Sequence, residues 1–141
     1  TAVLCIVDPF SIDIPFRSID KLASLGYSFL IPYTFTLNER KNVEYYLSEN
    51  REKLKAYIGN SGYDSLKATA GNAQFYKKLV RLYQNNMLML GLNTSLSVHK
   101  LQSSLIDLPA YYMGFFSRQF STKAIQNDIQ ASDHLQFELF N

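Results

Sequence analysis

The sequence predicts an α/β fold in which helices cover a mixed four-stranded sheet with an antiparallel edge. Three observations support this prediction. The run Ala2–Val7 is apolar without interruption, as in a strand that is covered on both faces. A short helix and a second strand follow it, and this order makes one right-handed crossover. Late in the chain, two strands separated by the turn Gln102–Pro109 are expected to form an antiparallel hairpin.

Strand and helix signals define the first three elements. Pro9 ends the first strand, because proline cannot donate a hydrogen bond to a ladder. A short helix is predicted over Arg17–Leu25, with Gly26 as its stop. The second strand is predicted over Tyr27–Phe35, where Pro32 indicates a bulge or the end of regular pairing. The apolar side of the helix comprises Ile19, Leu22, Ala23 and Leu25.

Two longer helices are predicted in the middle of the chain, over Asn42–Ile58 and Ala73–Leu90, with a loop from Gly59 to Asn72 between them. The apolar side of the first helix comprises Val43, Leu47, Leu54 and Ile58. The second helix carries two adjacent rows, Phe75, Leu79, Leu82 and Leu90 in one and Tyr76, Val80, Tyr83 and Met87 in the other.

The last part of the chain completes the sheet. Asn93–Gln102 alternates apolar and polar residues, as a half-exposed strand does, and Ala110–Phe116 is the next strand. Ser121 is a suitable cap for a final helix, and Leu135–Leu139 reads as an extended tail. The predicted order is β-α-β-α-α-β-β-α within one domain, residues 1–141. The residues expected in the interior of the sheet are Leu4, Ile6, Phe29, Ile31 and Phe115.

Composition excludes several classes of protein. Apolar residues make up 47% and charged residues 18%, which is typical of a folded globular chain with a core rich in its ten Tyr and ten Phe. The net charge of +2 gives no reason to expect nucleic acid or an anionic membrane as a partner. No apolar run approaches the ~18 residues of a membrane span. The single cysteine, Cys5, excludes an internal disulfide and favours the cytoplasm.

Short motifs along the chain resemble those of one protein family. Val7-Asp8-Pro9-Phe10, followed by Ile14-Pro15-Phe16 and a helix, resembles the aspartate-proline-aromatic stretch of the three-Cys-motif partner proteins. Ser11 and Phe120-Ser121 depart from the family pattern, which has glycine and a polar-proline step at these places. The other matching segments are Ile31-Pro32 with Asn38-Glu39-Arg40, Tyr57-Ile58-Gly59, and Tyr111–Phe116.

The resemblance implies a Rossmann-like domain of the class I methyltransferase type, of which this chain is the C-terminal portion. The chain would supply strands four to seven of that fold, whose sheet ends in an antiparallel pair. The N-terminal half, which holds S-adenosylmethionine, has no counterpart in residues 1–141, so we expect no cofactor in this chain, although the full-length protein could use S-adenosylmethionine. The family is also linked to a partner that carries a three-cysteine motif, and this motif would lie on the other protein.

The candidate catalytic residues are Asp8, Pro9 and Phe10, at the carboxyl end of a parallel strand, where sites in such sheets lie. In amino-group methyltransferases an acidic residue, a proline and an aromatic at this place accept hydrogen bonds from the target amino group and stack on its base. The alternative is that Asp8 and Pro9 only end the strand and begin a turn. Asn38 and Arg40 are candidate substrate-binding residues, because Arg40 could clamp a carboxylate or phosphate; the alternative is a solvated arginine.

Other sites are not expected. His99 and His134 have no second histidine or cysteine at ligand spacing, so no metal site is predicted. No glycine-rich nucleotide motif and no nucleophile elbow occurs, which sets aside a free-standing hydrolase. Two functions remain open: a methyltransferase-like protein whose activity is undecided, and a non-catalytic interaction module. In either case the apolar strand Ala2–Val7 is expected to pair with a protein partner, with a second copy of the chain or with the missing N-terminal half, because natural strand edges are otherwise charged or covered.

Overall fold

The computed structural model describes residues 2–7, 12–37, 41–59, 61–69, 71–99 and 111–119. The predicted final helix and the extended tail lie outside these residues. In chain order the elements are strand β1 (Leu4–Ile6), helix α1 (Phe16–Ser24), strand β2 (Ser28–Tyr33), a 3-10 turn (Thr34–Leu37), a π-helical segment (Tyr45–Glu49), helices α2 (Arg51–Ile58), α3 (Tyr63–Lys67) and α4 (Asn72–Met89), and strands β3 (Asn93–His99) and β4 (Tyr111–Ser117).

The four strands form one mixed sheet in the order β1-β2-β4-β3. β1 and β2 are parallel, whereas β4 is antiparallel to both β2 and β3. The predicted hairpin and the antiparallel pair at the edge are therefore confirmed. The prediction placed the antiparallel strand at the edge of the sheet, and this part was wrong. The strand that is antiparallel to the other three, β4, lies inside the sheet, and β3 forms the edge. The physical reason is that β4 carries the buried pair Phe115 and Phe116, whereas β3 alternates with polar side chains that tolerate an edge.

Pro32 lies in a regular part of β2, contrary to the predicted bulge or break. It pairs in register with Met113 of β4. The β1 side of β2 is the side on which Ser28 donates to Val3 and Leu30 accepts from Val7, both at 2.9 Å. Since backbone groups alternate along a strand, the nitrogen of Pro32 faces β1 rather than β4. The absence of an N–H at Pro32 therefore removes no hydrogen bond with β4. On the β1 side, Pro32 lies beyond the last residue of β2 that pairs with β1.

The helices pack on one face of the sheet. Phe29, Ile31 and Tyr33 of β2 are buried in the same apolar cluster as the helices, whereas the alternating Leu30 and Pro32 are not part of it. Predicted helical residues at the centre of this layer are confirmed as buried. The contributions of the helices are Phe16, Ile19 and Ala23 from α1, Leu54, Tyr57 and Ile58 from α2, Tyr63 and Leu66 from α3, and Phe75, Tyr76, Leu79, Val80, Tyr83 and Met87 from α4.

β1 is an edge strand with an open face. Of the five residues expected in the interior, Phe29, Ile31 and Phe115 are buried. Leu4 and Ile6 are not: they are 51% and 69% exposed. The alternating residue Cys5 packs against the core instead. The uninterrupted apolar run therefore does not reflect burial on both faces within the described residues, because no described element covers the Leu4 and Ile6 side of β1.

The predicted helix over Asn42–Ile58 is interrupted. The Asn50 N–H donates to the Tyr45 carbonyl at 3.0 Å, a five-residue step that defines a wide π turn before α2 begins. The loop predicted between the two long helices also contains α3, with Tyr63 and Leu66 buried. Helix α1 ends one residue before the predicted end, and Leu25, which was expected on its apolar side, is exposed.

The far ends of α1 and α4 are held together by one side chain that follows β4. The Arg118 guanidinium donates to the Ala23 carbonyl at 2.9 Å and to the Leu90 carbonyl. Both acceptors lie at helix C-termini, where carbonyls lack intrahelical partners and a positive charge is favourable. This contact fixes the two helices relative to the end of β4.

Candidate functional site

The two strands that precede the predicted site segments in sequence end at the same end of the sheet. β1 and β2 are parallel neighbours, so their carboxyl ends lie side by side. Val7, whose N–H donates to Leu30 at 2.9 Å, is the last described residue before Asp8, Pro9 and Phe10.

The other predicted residues, Asn38 and Arg40, stand between the 3-10 turn that follows β2 and Lys41. All five predicted site residues, Asp8, Pro9, Phe10, Asn38 and Arg40, lie outside the described residues. Their roles therefore stay predictions. The structure describes the residues that come before and after the two segments.

An open groove lies beside the β1–α1 connection. Its volume is about 600 Å³, and it lies between the residues that lead into α1 and the outer side of α2. This size is within the range of small-molecule sites, although the groove is open rather than enclosed. The residues that line it are Ile12, Asp13, Pro15, Phe16, Arg17, Asp20, Lys53, Ala56 and Gly59.

The charges along this groove balance. The Lys53 ammonium forms an ion pair with the Asp13 carboxylate. The hydrogen bond from Lys53 to Asp13, followed by the charge of Asp13, raises the pKa of Lys53. Arg17 and Asp20 add one charge of each sign to the lining. The described part of the groove thus offers polar contacts of both signs and no net preference for an anion or a cation.

The segment that follows Arg40 is fixed against the start of α4. The Val43 N–H donates to Asn72 Oδ1 at 3.1 Å, and the Tyr76 hydroxyl donates to the Lys41 carbonyl. The Tyr45 N–H donates to Asn42 Oδ1 at 2.9 Å. The bonds from Val43 to Asn72 and from Tyr76 to Lys41 fix the position of Lys41–Val43, because Asn72 and Tyr76 belong to the first five residues of the 18-residue helix α4.

The tyrosines of the buried core are structural rather than acid–base groups. Burial, followed by the charges of neighbouring phenols, raises the pKa of Tyr33 and of Tyr57 well above the ordinary value. Burial also raises the pKa of Tyr76 and Tyr83. The phenols therefore stay protonated at neutral pH and cannot serve as bases there. The ring of Tyr46 is likewise buried.

This burial predicts a pH dependence of stability. The pKa of Tyr33 and Tyr57 is raised in the folded state, so the stability they contribute is fully present below about pH 10, the value of unfolded tyrosine. Above it, the unfolded chain loses protons that the folded chain keeps. We expect the free energy of unfolding to fall by about 1.4 kcal/mol per pH unit for each of the two. In an alkaline titration, the phenolate absorbance of Tyr33, taken as the difference between the wild type and Tyr33→Phe, should appear together with the loss of circular dichroism. Phenolate from Tyr33 at about pH 10 in a folded chain would contradict this.

Comparisons with known proteins identify no relative. No family model, no curated protein and no solved structure matches this chain.

The part of the chain that the structure describes contains no group of three or more His, Cys, Asp or Glu that could hold a metal ion. Nor is any helix in the described ranges long and apolar enough to cross a membrane.

Sequence reasoning missed the groove. Asp13 and Lys53 are 40 positions apart, so no local spacing in the sequence connects them. Only the packing of α1 on α2 brings them together. The one available signal was the position of Ile12–Phe16 directly after the predicted Asp8–Phe10 stretch.

Proposed function

We propose that this chain is the substrate-side, C-terminal portion of a Rossmann-like, methyltransferase-type domain in a three-Cys-motif partner-like protein. The observation that carries the proposal is the sheet: two parallel strands joined through α1, then an antiparallel pair at the far side. This agrees with strands four to seven of the proposed fold in the direction of each strand and in the antiparallel ending.

The open edge at β1 supports the view that a further strand completes the sheet. Val3 and Val7 direct their backbone groups to β2, so those of Leu4 and Ile6 point outward. The strand bears no charge, and its side chains at these positions are apolar and exposed. An unprotected apolar edge is a template for pairing. In our proposal the partner strand belongs to the cofactor-binding half of the domain or to a second copy of this chain.

In the proposed site, Asp8 accepts hydrogen bonds from a target amino group, Pro9 contributes its carbonyl and Phe10 stacks on the substrate. Asn38 and Arg40 would hold a carboxylate or phosphate of that substrate. Support comes from the carboxyl ends of β1 and β2, which lie side by side, and from the groove along Ile12–Phe16. The single cysteine, Cys5, is a free thiol, which fits the cytoplasm as the proposed compartment.

The cofactor prediction separates this portion from a complete enzyme. Calorimetry with S-adenosylmethionine on residues 1–141 should detect no binding tighter than roughly millimolar, about −4 kcal/mol. Micromolar binding would contradict the proposal, because it would place the cofactor site among residues assigned to packing. In a chain that also contains the cofactor-binding half, Asp8→Ala should reduce methyl transfer much more than the free energy of unfolding. An equal loss of both would favour the strand-ending role of Asp8.

The open edge of β1 also favours a second function, a non-catalytic module that acts by strand pairing with a protein partner, such as the one bearing the three-cysteine motif. The two functions differ upstream of Thr1. A strand followed by a glycine-rich turn and an acidic residue about 20 positions later would favour the enzyme. An encoded upstream region without this pattern would favour the module.

A further inference from the structure

The face of the sheet that points away from the helices, which we call the outer face, has a buried centre. Phe29 and Phe116 pair on the helix side, so Leu30 and Phe115, which pair at the next position, lie on the outer face. Phe115 is only 2% exposed. Among the described buried apolar residues, it alone does not belong to the cluster formed with the helices. The helix layer therefore does not account for its burial.

Neighbours within the sheet do not bury Phe115 either. Leu30 of β2 and Ser95 of β3 flank it in register. Side chains on one face of a sheet stand roughly perpendicular to that face, so such neighbours shield the sides of the ring but not its top. A second layer of residues must therefore lie above it, as on any sheet that is covered on both faces.

Three serines extend the buried area of the outer face. Ser28 and Ser117 lie beside each other, with their hydroxyl oxygens 2.8 Å apart, and both are buried. Ser97 of β3, on the same face, is buried as well. At the β1 side of this face, Leu4 and Ile6 are exposed. The layer therefore covers β2, β4 and β3 and ends before β1.

The path of the chain after β4 indicates which residues supply this layer. Burial of the outer face increases towards the end of β4. Tyr111 and Met113 are half-buried, and the later residues Phe115 and Ser117 are buried. The Gln119 N–H then donates to Ser117 Oγ at 3.1 Å. Because Ser117 Oγ lies on the outer face, this bond directs the chain after β4 towards that face.

Two long segments lie outside the described residues in this part of the chain. Residues 100–110 join β3 to β4 at the opposite end of the sheet, about 20 Å from Ser117 along the strand. Residues 120–141 follow Gln119 directly. The helix that the sequence predicts after Ser121 carries apolar residues at Ile125 and Ile129. Position and composition together favour the second segment.

We propose that residues 120–141 pack on the outer face of the sheet, with the apolar side of the predicted helix over Phe115. Contact of Ile125 and Ile129 with Phe115 removes apolar surface from water on both sides, which is the driving force for docking. The exposed side chains of Leu4 and Ile6 lie beyond the covered area. The segment therefore leaves the edge of β1 open to a pairing strand.

Nuclear Overhauser contacts in the unmodified chain test this placement directly. With isoleucine methyl groups and phenylalanine rings labelled, the Phe115 ring should show contacts to Ile125 or Ile129, and Phe115→Leu identifies its resonances. Contacts to Ile106 instead would assign the layer to residues 100–110 and overturn the proposal. Contacts that occur only between differently labelled copies in a mixed sample would assign it to a second copy and overturn the proposal equally.

Thiol reactivity provides a second test in the full chain. In a Cys5→Ser background, Ser97→Cys places a single buried thiol on the outer face. The pair Ile125→Asp and Ile129→Asp should displace the segment, because burying an unpaired carboxylate is costly. The thiol should then react with an aromatic disulfide roughly tenfold faster or more, because the face no longer has to open first.

The controls keep the charge and the fold constant. Gln126→Asp with Gln130→Asp adds the same two charges at the same spacing on polar positions, and it should leave the rate of the Ser97→Cys thiol unchanged. The native Cys5 packs on the helix side, so its own rate, measured in a chain that keeps Ser97, should not respond to the isoleucine variants. The proposal is wrong if the isoleucine variants leave the Ser97→Cys thiol as slow as before, or if the glutamine variants accelerate it equally.

Discussion

Substituting Ile6 by lysine should convert an assembled protein into a monomer without unfolding it. In the proposed account the outer edge of β1 pairs with another strand, and wild-type residues 1–141 alone pair with a second copy. A lysine on an edge strand opposes such pairing. Since the Ile6 side chain is exposed in the single chain, the replacement removes no contact with the core. Sedimentation velocity should show dimers or larger species for the wild type and one slower species for Ile6→Lys.

The sheet supplies a matched control at its other edge. Val98 of β3 is 58% exposed, so Val98→Lys adds the same charge to a strand of similar exposure. Its assembly should equal that of the wild type. The account fails if the wild type is a monomer at every concentration, or if Val98→Lys dissociates the assembly as fully as Ile6→Lys does.

Replacing Phe35 by alanine should cause the largest loss of stability. Phe35 is buried at the centre of the aromatic cluster, with its ring centroid 6.0–6.3 Å from four tyrosine rings. Truncation removes these contacts and leaves a cavity that rigid rings cannot fill. We expect the free energy of unfolding to fall by about 3–5 kcal/mol. The four rings are those of Tyr33, Tyr46, Tyr57 and Tyr76.

Urea denaturation followed by circular dichroism measures this loss. Leu25→Ala is the control, because Leu25 is apolar but exposed, and its change should stay within about 0.5 kcal/mol. A loss below about 1 kcal/mol for Phe35→Ala would mean that the cluster collapses around the cavity and that Phe35 does not organise the core.

Much of the fold follows from local sequence patterns. The apolar periodicity over Ala73–Leu90 predicts α4 to within one residue at each end, and glycine at Gly26 stops α1 as expected. Strands β3 and β4 also form the predicted hairpin. In these cases the deciding interactions lie within the element or between neighbours in sequence, so a single chain segment carries the signal.

What the patterns did not predict depends on distant contacts. Tyr46 of the π turn packs on Phe75 and Tyr76 of α4, and helix α3 also packs on α4, which no local spacing reveals. The exposure of Leu4 and Ile6 depends on which strands flank β1, and an apolar run has the same composition whether it is covered or not. The groove at Asp13 and Lys53 likewise exists only after α1 and α2 have packed.

The candidate site stays a prediction, because its five residues lie outside the described part of the chain. Parallel pairing of β1 and β2 places the carboxyl ends of these two strands side by side, which the predicted strand-helix-strand order anticipates. The roles of these residues rest on a resemblance between short motifs. Charge balance in the adjacent groove could not be predicted, since it is set by Lys53 of α2 and by charged side chains of the segment 13–20, which are distant in sequence.

Amide hydrogen exchange at β1 tests the pairing of its outer edge most directly. The N–H groups of Cys5 and Val7 face β2, whereas those of Leu4 and Ile6 face outward. In the assembled protein we predict that the Leu4 and Ile6 amides exchange as slowly as those of Cys5 and Val7, and that the Leu4 amide becomes fast in Ile6→Lys. Fast exchange at Leu4 and Ile6 in the assembled wild type, with Cys5 and Val7 still slow, would show that no strand pairs there and would contradict the account.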